Sequence, residues 1–368
     1  VGVLTVENIV KNKPELTQNK NLWIKKLSHF YKNKFALTAA VIILFLYILV
    51  IFAPFFAPYS ANKNFKDKFF HPPTEIHFWD ENGLQTPFIY ETEVQEGWAE
   101  YNINREKKHS LQFFHQGEEY QIFGLFKSDI HLFGIEDNIP IFILGSDNYG
   151  RDLFTRILYG GRVSLFIGFF AIFITTFIGL IAGGISGYYG GIIDSIMMRA
   201  AEVIMSIPSF YLLLALAAVL PLNISSTFRF FLIVSILAFQ GWAGMARVIR
   251  GMVLSVKNED YISAAKAIGA EDKRIIIKHI LPATATYVII RATVAIPGYI
   301  IMESGLSFIG LGIQEPSASW GNMLSSAQNI TKMSDFPWLL LPGFFIFITV
   351  LSYNILGDGL RDAFDPKS

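Results

Sequence analysis

The sequence predicts an all-α membrane protein of six transmembrane helices, with a β-rich extracytoplasmic insert between the first two, and three observations carry that reading. Hydrophobic side chains make up 52% and aromatics 15% of the 368 residues, and the mean hydropathy is +0.42, which is too apolar for an ordinary soluble protein of this length. The apolar residues gather into six stretches long enough to cross a bilayer. Lys and Arg concentrate in the amino-terminal tail and in one central loop, and basic clusters of this kind mark the cytoplasmic side. Formal net charge is +0, so nucleic acid has no electrostatic support as a partner. The chain has no cysteine, which excludes a disulfide framework, a thiolate nucleophile and a thiolate metal site.

Residues 1–34 are expected to form a cytoplasmic tail. Lys11, Lys13, Lys20, Lys25, Lys26, Lys32 and Lys34 stand there against Glu7 and Glu15. No cleavable signal is evident. The piece from Trp23 to Tyr31 reads either as a surface amphipathic helix or as a basic lead-in. The first span, 35–57, carries no charge and leaves the bilayer at Pro54 and Pro58.

Residues 59–143 have the composition of a folded extracytoplasmic insert. The run Leu111 to Phe126 is aromatic on both sides of Gln116–Gly117, which predicts a hairpin turning there. A second extended piece is expected from Trp98 to Asn104. His71, His77, His109, His115 and His131 fall in the insert at spacings that match no ligand pattern, so no metal site is expected. An outer segment, 144–162, follows. Its Gly145 and Gly150 suit sharp turns, and Asp147, Arg151 and Asp152 suit a loop tied by charge-assisted bonds.

The core, 163–356, supplies the other five spans. The second, Val163 to Ser186, has Gly168, Gly179, Gly183 and Gly184 for close helix packing, with Gly187 just beyond. The third runs from about Asp194 to Leu220, interrupted by Pro208, and the fourth from Phe228 to Ala246. The fifth runs from Pro282 to about Ser304, broken near Pro297–Gly298. The sixth runs from Pro337 to Leu356, and 357–368 ends the chain in the cytoplasm.

Between the fourth and fifth spans lies the loop 247–281, with seven Lys and Arg side chains from Arg247 to Lys278. Asn258 suits a helix cap, after which Tyr261, Ala264, Ala265 and Ile268 share one narrow face with small residues at its centre. Gly269 stops that helix. Glu271 and Asp272 favour the start of a second, Lys278 and His279 its end, and Pro282 the first turn of the next span. A short helix with an alanine face, a glycine turn and a second helix entering a span is shaped to fill a groove on another protein.

The spacing of Ala264–Ala265, Gly269 and Ile280–Leu281–Pro282 resembles the EAA loop of ABC importer permeases, with Ser263 where the family usually has glutamate. Leu144 to Asp152, LGSDNYGRD, resembles the LGTDxxGRD signature of dipeptide and oligopeptide permeases, and His71–Pro72–Pro73–Thr74 resembles their PP stretch. ESGLSFIGLG from Glu303, PSASWG from Pro316, NILGDGLRDAFDP from Asn354 and MRAAEVIMSIP from Met198 resemble further segments, although Glu202 stands where aspartate is commoner.

This resemblance implies the type I ABC importer permease fold in a bacterial cytoplasmic membrane, with both termini inside. It implies a homologous second permease, two ATPase subunits and an extracytoplasmic peptide-binding protein as partners. Asp260, Tyr261, Ser263, Ala264, Ala265, Gly269, Ile280, Leu281 and Pro282 would then form the ATPase-coupling surface. No G-x-x-x-x-G-K-[ST] run occurs, so ATP and Mg are expected on the ATPases, no cofactor on this chain, and no catalytic residue in it. Dipeptide or oligopeptide import by alternating access is the function implied; nickel or another small solute, or an ATP-independent channel or carrier, are the alternatives. Charges inside spans need a partner or a cavity. Glu202, Arg291 and Glu303 are therefore candidates for the translocation path or for interhelical pairing, with Glu202 pairing Arg291 or Arg199.

Overall fold

The computed structural model describes residues 30–80, 83–95, 99–122, 124–136, 139–221 and 224–364. The basic tail before Phe30, and with it all but the end of the surface helix considered from Trp23 to Tyr31, lies outside the described residues, as does Trp98.

Helix α1, Lys34–Ile51, is charge-free after its first residue and is capped by Asn33, whose side chain accepts the Ala36 amide. One further turn, Ala53–Phe56, follows it. The insert then builds a four-stranded antiparallel sheet of β1 (His77–Asp80), β2 (Gly83–Val94), β3 (Tyr101–Ile122) and β4 (Phe126–Ile135), in that order. The expected reversal at Gln116–Gly117 is absent. There β3 passes through a register irregularity and continues to Ile122, and the chain turns back between Ile122 and Phe126. Gly117 serves contact rather than turning: a Cβ there would sit 2.7 Å from the His131 ring on β4.

That ring ties the sheet to the first span. His131 Nδ1 lies 2.6 Å from the Ala57 carbonyl oxygen and Nε2 lies 3.0 Å from that of Glu118. His71 is also buried, and burial holds its imidazole down at about 4, so Nδ1–H donates to the Pro72 carbonyl at 2.6 Å while Nε2 accepts the Thr92 hydroxyl at 2.7 Å.

The bundle contains α2 (Leu153–Tyr189), α3 (Gly191–Ser206), α4 (Ser209–Ala218), α5 (Ser226–Val256), α6 (Asp260–Ala267), α7 (Leu281–Phe308) and α8 (Leu341–Phe364). Five helical stretches, those of α1, α2, α5, α7 and α8, are long and apolar enough to cross a membrane. The segment expected as a third span interrupted at Pro208 forms the pair α3 and α4, bent by 82°. Pro208 explains the bend: it has no N–H to continue the helix, and it forces Ile207 into an extended conformation with ψ 125°. Pro297, by contrast, lies inside α7 without ending it.

Helices α2 and α5 form the centre of the bundle. Gly179, Gly183 and Gly187 repeat at four-residue spacing on one face of α2, where added Cβ atoms would strike Met245, Ala246 and Val253 at 2.5–2.8 Å. The glycine stripe therefore sets how near the two helices lie. On the other side Arg162 donates to the Val50 and Ile51 carbonyls at 2.6 and 2.7 Å, satisfying orphan acceptors at the end of α1.

The outer signature segment is knitted by charge, as its residue types suggest. Arg151 Nε donates to Asp147 at 2.7 Å, and its two terminal nitrogens hold Glu315 at 2.5 and 3.0 Å. Arg156, 1% exposed, adds bonds to Glu315 at 3.1 and 3.2 Å. Burial alone would raise the Glu315 carboxyl, but the two guanidiniums overcome it and hold the group below the usual carboxylate range. Asp152 does not join this network. It caps α2, accepting the Thr155 amide at 2.8 Å.

Candidate functional site

The loop between α5 and α7 hangs at the end of the bundle opposite the insert. In its first helix, α6, the N-cap position belongs to Glu259, which makes no side-chain capping bond, and not to Asn258, which donates back to the Leu254 carbonyl at 3.2 Å and so belongs to the end of α5. Gly269 ends α6 at φ +78°, with Ala270 N–H reaching the Ala265 carbonyl and Gly269 N–H that of Lys266. This paired closure uses a left-handed glycine just past the helix.

The expected apolar face is split. Ile262 and Ala265 turn inward, at 0% and 8% exposure, and join the main core beside Ile249, Val253, Ile275 and Ile280. Tyr261, Ala264 and Ile268 turn outward, with Ile268 85% exposed. Asp260, Ser263 and Gly269 are also exposed. Spacing alone put Ala265 with Ala264, but the hundred degrees between neighbours on a helix send them to opposite sides of the contact line.

The second helix of the loop is not separate from the span. A short turn, Asp272–Ile275, passes through a π turn, Ile276–Ile280, directly into α7. The wider turn accommodates Pro282, whose ring would otherwise press on the carbonyl of Lys278 four residues back. Ile280 is buried, Leu281 half-buried and Pro282 exposed. Three contacts clip the loop to the end of α2. The Tyr188 hydroxyl donates to Asp272 at 2.5 Å, Lys266 Nζ lies 5.1 Å from the Tyr188 ring centroid, and Lys257 donates to the Gly187 carbonyl at 3.0 Å.

The three intramembrane charges part company. Glu303 is fully buried and accepts the hydroxyls of Ser307, Ser164 and Ser304 at 2.6, 3.0 and 3.4 Å. Ser164 in turn accepts the Trp320 amide at 3.1 Å. Glu303 thus joins α2, α7 and the return segment. Glu202 is half-exposed and pairs with Arg199 at 3.0 Å, with Arg247 at 3.8 Å. They lie with Asp194 and Arg250 along a cleft of about 480 Å³. The pairing considered between Glu202 and Arg291 is not formed, and Arg291 is exposed on α7.

A cavity of about 330 Å³ opens beside the bend at Pro208, lined by Met205, Gln240, Gly241, Gly298, Tyr299 and Met302 among others. Among the described residues none of its lining side chains is ionised at neutral pH. Tyr299 and Thr175 share a hydrogen bond of 3.0 Å across its edge, and a Cβ on Gly241 would lie 2.0 Å from the Tyr299 hydroxyl oxygen. Four helices, α3, α4, α5 and α7, supply the lining, so no contiguous motif announces the cavity. The only local signal is the break at Pro208.

A bundle of long apolar helices with an exposed, clipped helical loop at one end defines a multi-span membrane component. Residues 163–368 match the model for the binding-protein-dependent transport system inner membrane component, and residues 21–73 that for the N-terminal transmembrane domain of oligopeptide transport permease C. The dipeptide transport system permease protein DppC of Bacillus subtilis is 34% identical over 356 residues, spanning 96% of this chain and 88% of that protein. The oligopeptide transport system permease protein OppC of the same organism is 32% identical over 351 residues, covering 94% and 90%. The OppC of Haemophilus influenzae is 33% identical, covering 95% and 90%. A solved amino acid ABC transporter with histidines aligns with TM-score 0.41 at 20% identity, over 55% of this chain and 91% of that one. This chain belongs to the family of binding-protein-dependent transport system inner membrane components.

Proposed function

We infer that this chain is one of two membrane permease subunits of an ATP-driven importer of dipeptides or oligopeptides. The observation that carries the reading is α6: an exposed Tyr261–Ala264–Ile268 face closed by Gly269 and clipped to α2 and α7. A displaced α6 would pull on two spans at once. ATPase subunits that close on ATP would supply that displacement, with Asp260 and Ser263 at the rim of the docking face.

The bent pair α3–α4 counts as a sixth crossing in this reading, placing both termini and the loop on the cytoplasmic side of a bacterial inner membrane. The uncharged cavity beside Pro208 is a stretch of the path, where a peptide of either charge passes without being trapped. Alternating access then consists of the two arrangements of the bundle, each favoured by different ligands. ATP and Mg stay with the ATPases, and the peptide is delivered by an extracytoplasmic binding protein, as the names of the Bacillus relatives suggest for the cargo.

Co-purification in mild detergent with mass spectrometry tests the reading. Recovery of two ATPases, a homologous permease and a binding protein with trapped peptide is expected. A stable chain that moves solute alone in liposomes overturns it, and a trapped metal chelate in place of peptide overturns the cargo.

A further inference from the structure

The long strand β3 changes character halfway. Where it bulges away from β2 it shows charge to the solvent through Arg105, Glu106 and Lys107; where it pairs with β4 it exposes Phe113 and Phe114 beside glutamines and glutamates. Phe113, Phe114, Leu125, Phe126 and Ile130 are between 41% and 78% exposed, all on this one hairpin. A hairpin standing in water gains nothing from such side chains.

Its position relative to the first span explains them. An α-helix rises 1.5 Å per residue, so about 20 residues cross the roughly 30 Å of hydrocarbon. Counted from Lys34, the far boundary falls between Ala53 and Phe55. The Phe114 ring lies 6.3 Å from that of Phe55, and His131 is bonded to the Ala57 carbonyl. Arg162 and Tyr159, a cation–π pair at 5.3 Å, occupy the same level, where amphipathic side chains collect at membrane surfaces. The hairpin is therefore held at the boundary by its middle, with its apolar tip free.

We propose that the β3–β4 hairpin lies in the headgroup region of the leaflet on the insert side, with Leu125, Phe126 and Phe114 entering the acyl boundary and Lys127 and Glu119 in the headgroups. The occupant of this apolar surface is lipid, because the surface continues the lipid-level face of the first span. The anchor fixes the insert's height and tilt over the bundle.

The absence of native cysteine allows a clean test. Leu125→Cys and Phe126→Cys, each spin-labelled in the full chain and reconstituted in phosphatidylethanolamine–phosphatidylglycerol vesicles, are compared with Glu106→Cys. Relaxation by oxygen several-fold above that by a water-soluble nickel chelate is expected at 125 and 126, with the reverse at 106. Nickel access at 125 and 126 equal to that at 106 overturns the proposal. Protection from both agents overturns it too, in favour of a protein partner on this surface.

Discussion

Tyr188, at the last turn of α2, donates its hydroxyl hydrogen to Asp272 at 2.5 Å, and so fastens the second span to the helix that becomes α7. The same ring lies under Lys266 of α6. One side chain thereby holds both arms of the loop. Tyr188→Phe keeps the ring and removes the bond, at a net cost of about 1 kcal/mol for a partly solvated pair. Insertion and assembly should persist while transport per ATP hydrolysed falls, which parallel uptake and phosphate-release assays on the reconstituted importer will read. An unchanged ratio would show that the clip does not carry the motion.

The split face of α6 separates docking from folding. Ile268→Asp and Ala264→Arg alter side chains that point away from the chain, so surface costs within about 0.5 kcal/mol are expected, with ATPase co-purification lost. Ala265→Glu puts a carboxylate into the core beside Ile262 and Val253, and should lower thermal stability by several kcal/mol. Full ATPase recovery with Ile268→Asp would remove this face from the docking surface. Gly269→Ala meets no atom within 4 Å but must hold φ +78°, a strain of about 1 kcal/mol.

Asp152 gives the outer end of the bundle a pH dependence. Burial raises its carboxyl to about 7, against the Thr155 bonds that favour the ionised form. An unfolded chain loses this proton near pH 4. Between about pH 4 and 7 the folded state holds a proton that the unfolded state has released, so stability falls as pH rises through that window and levels off above it. The effect is at most about 4 kcal/mol for a shift of this size. Asp152→Asn still accepts the Thr155 amide and should flatten the curve, which melting temperatures from pH 4 to 8 will show. Parallel curves for the two proteins would mean that Asp152 is ionised in the fold.

What the sequence made legible follows from how local each signal is. Spans such as Lys34–Ile51 are contiguous apolar runs, and the glycines of α2 repeat on one helical face, so both can be read directly. Gly117 has the appearance of a turn residue because a glycine that makes room for a neighbour's ring looks no different in one dimension from one that turns the chain. The hold of Arg151 on Glu315 crosses 164 positions, and nothing near either residue pairs them. Glu303 reads as an isolated membrane charge until Ser164, from another span, is brought against it.

Glu303 shows what such a buried group does. Its hydroxyl donors include Ser164 of α2 and Ser304 and Ser307 of α7, so Glu303→Leu leaves Ser164 and Ser307 without their acceptor at about 1–3 kcal/mol each. Glu303→Gln retains a carbonyl acceptor and should cost less than half as much in detergent melting experiments. Equal losses for both variants would place the effect on volume rather than on the hydroxyls.

Gly241 is the most constrained position on the cavity wall. A methyl group there would meet the Tyr299 oxygen at 2.0 Å and the Thr175 hydroxyl at 2.8 Å, so Gly241→Ala must either drive the Tyr299 hydroxyl from Thr175 into the cavity or part α5 from α2. Overpacking of this kind costs about 1–3 kcal/mol. Both outcomes narrow or distort the opening beside Pro208, and uptake should fall by about tenfold if that cavity lies on the path, since roughly 1.4 kcal/mol on a barrier is one decade of rate. Tyr299→Phe removes the oxygen that clashes. In the double variant stability should return most of the way, and uptake with it. Stability restored without uptake would mean that the Tyr299 hydroxyl itself serves the passing peptide, whereas normal uptake by Gly241→Ala alone would take the cavity off the path.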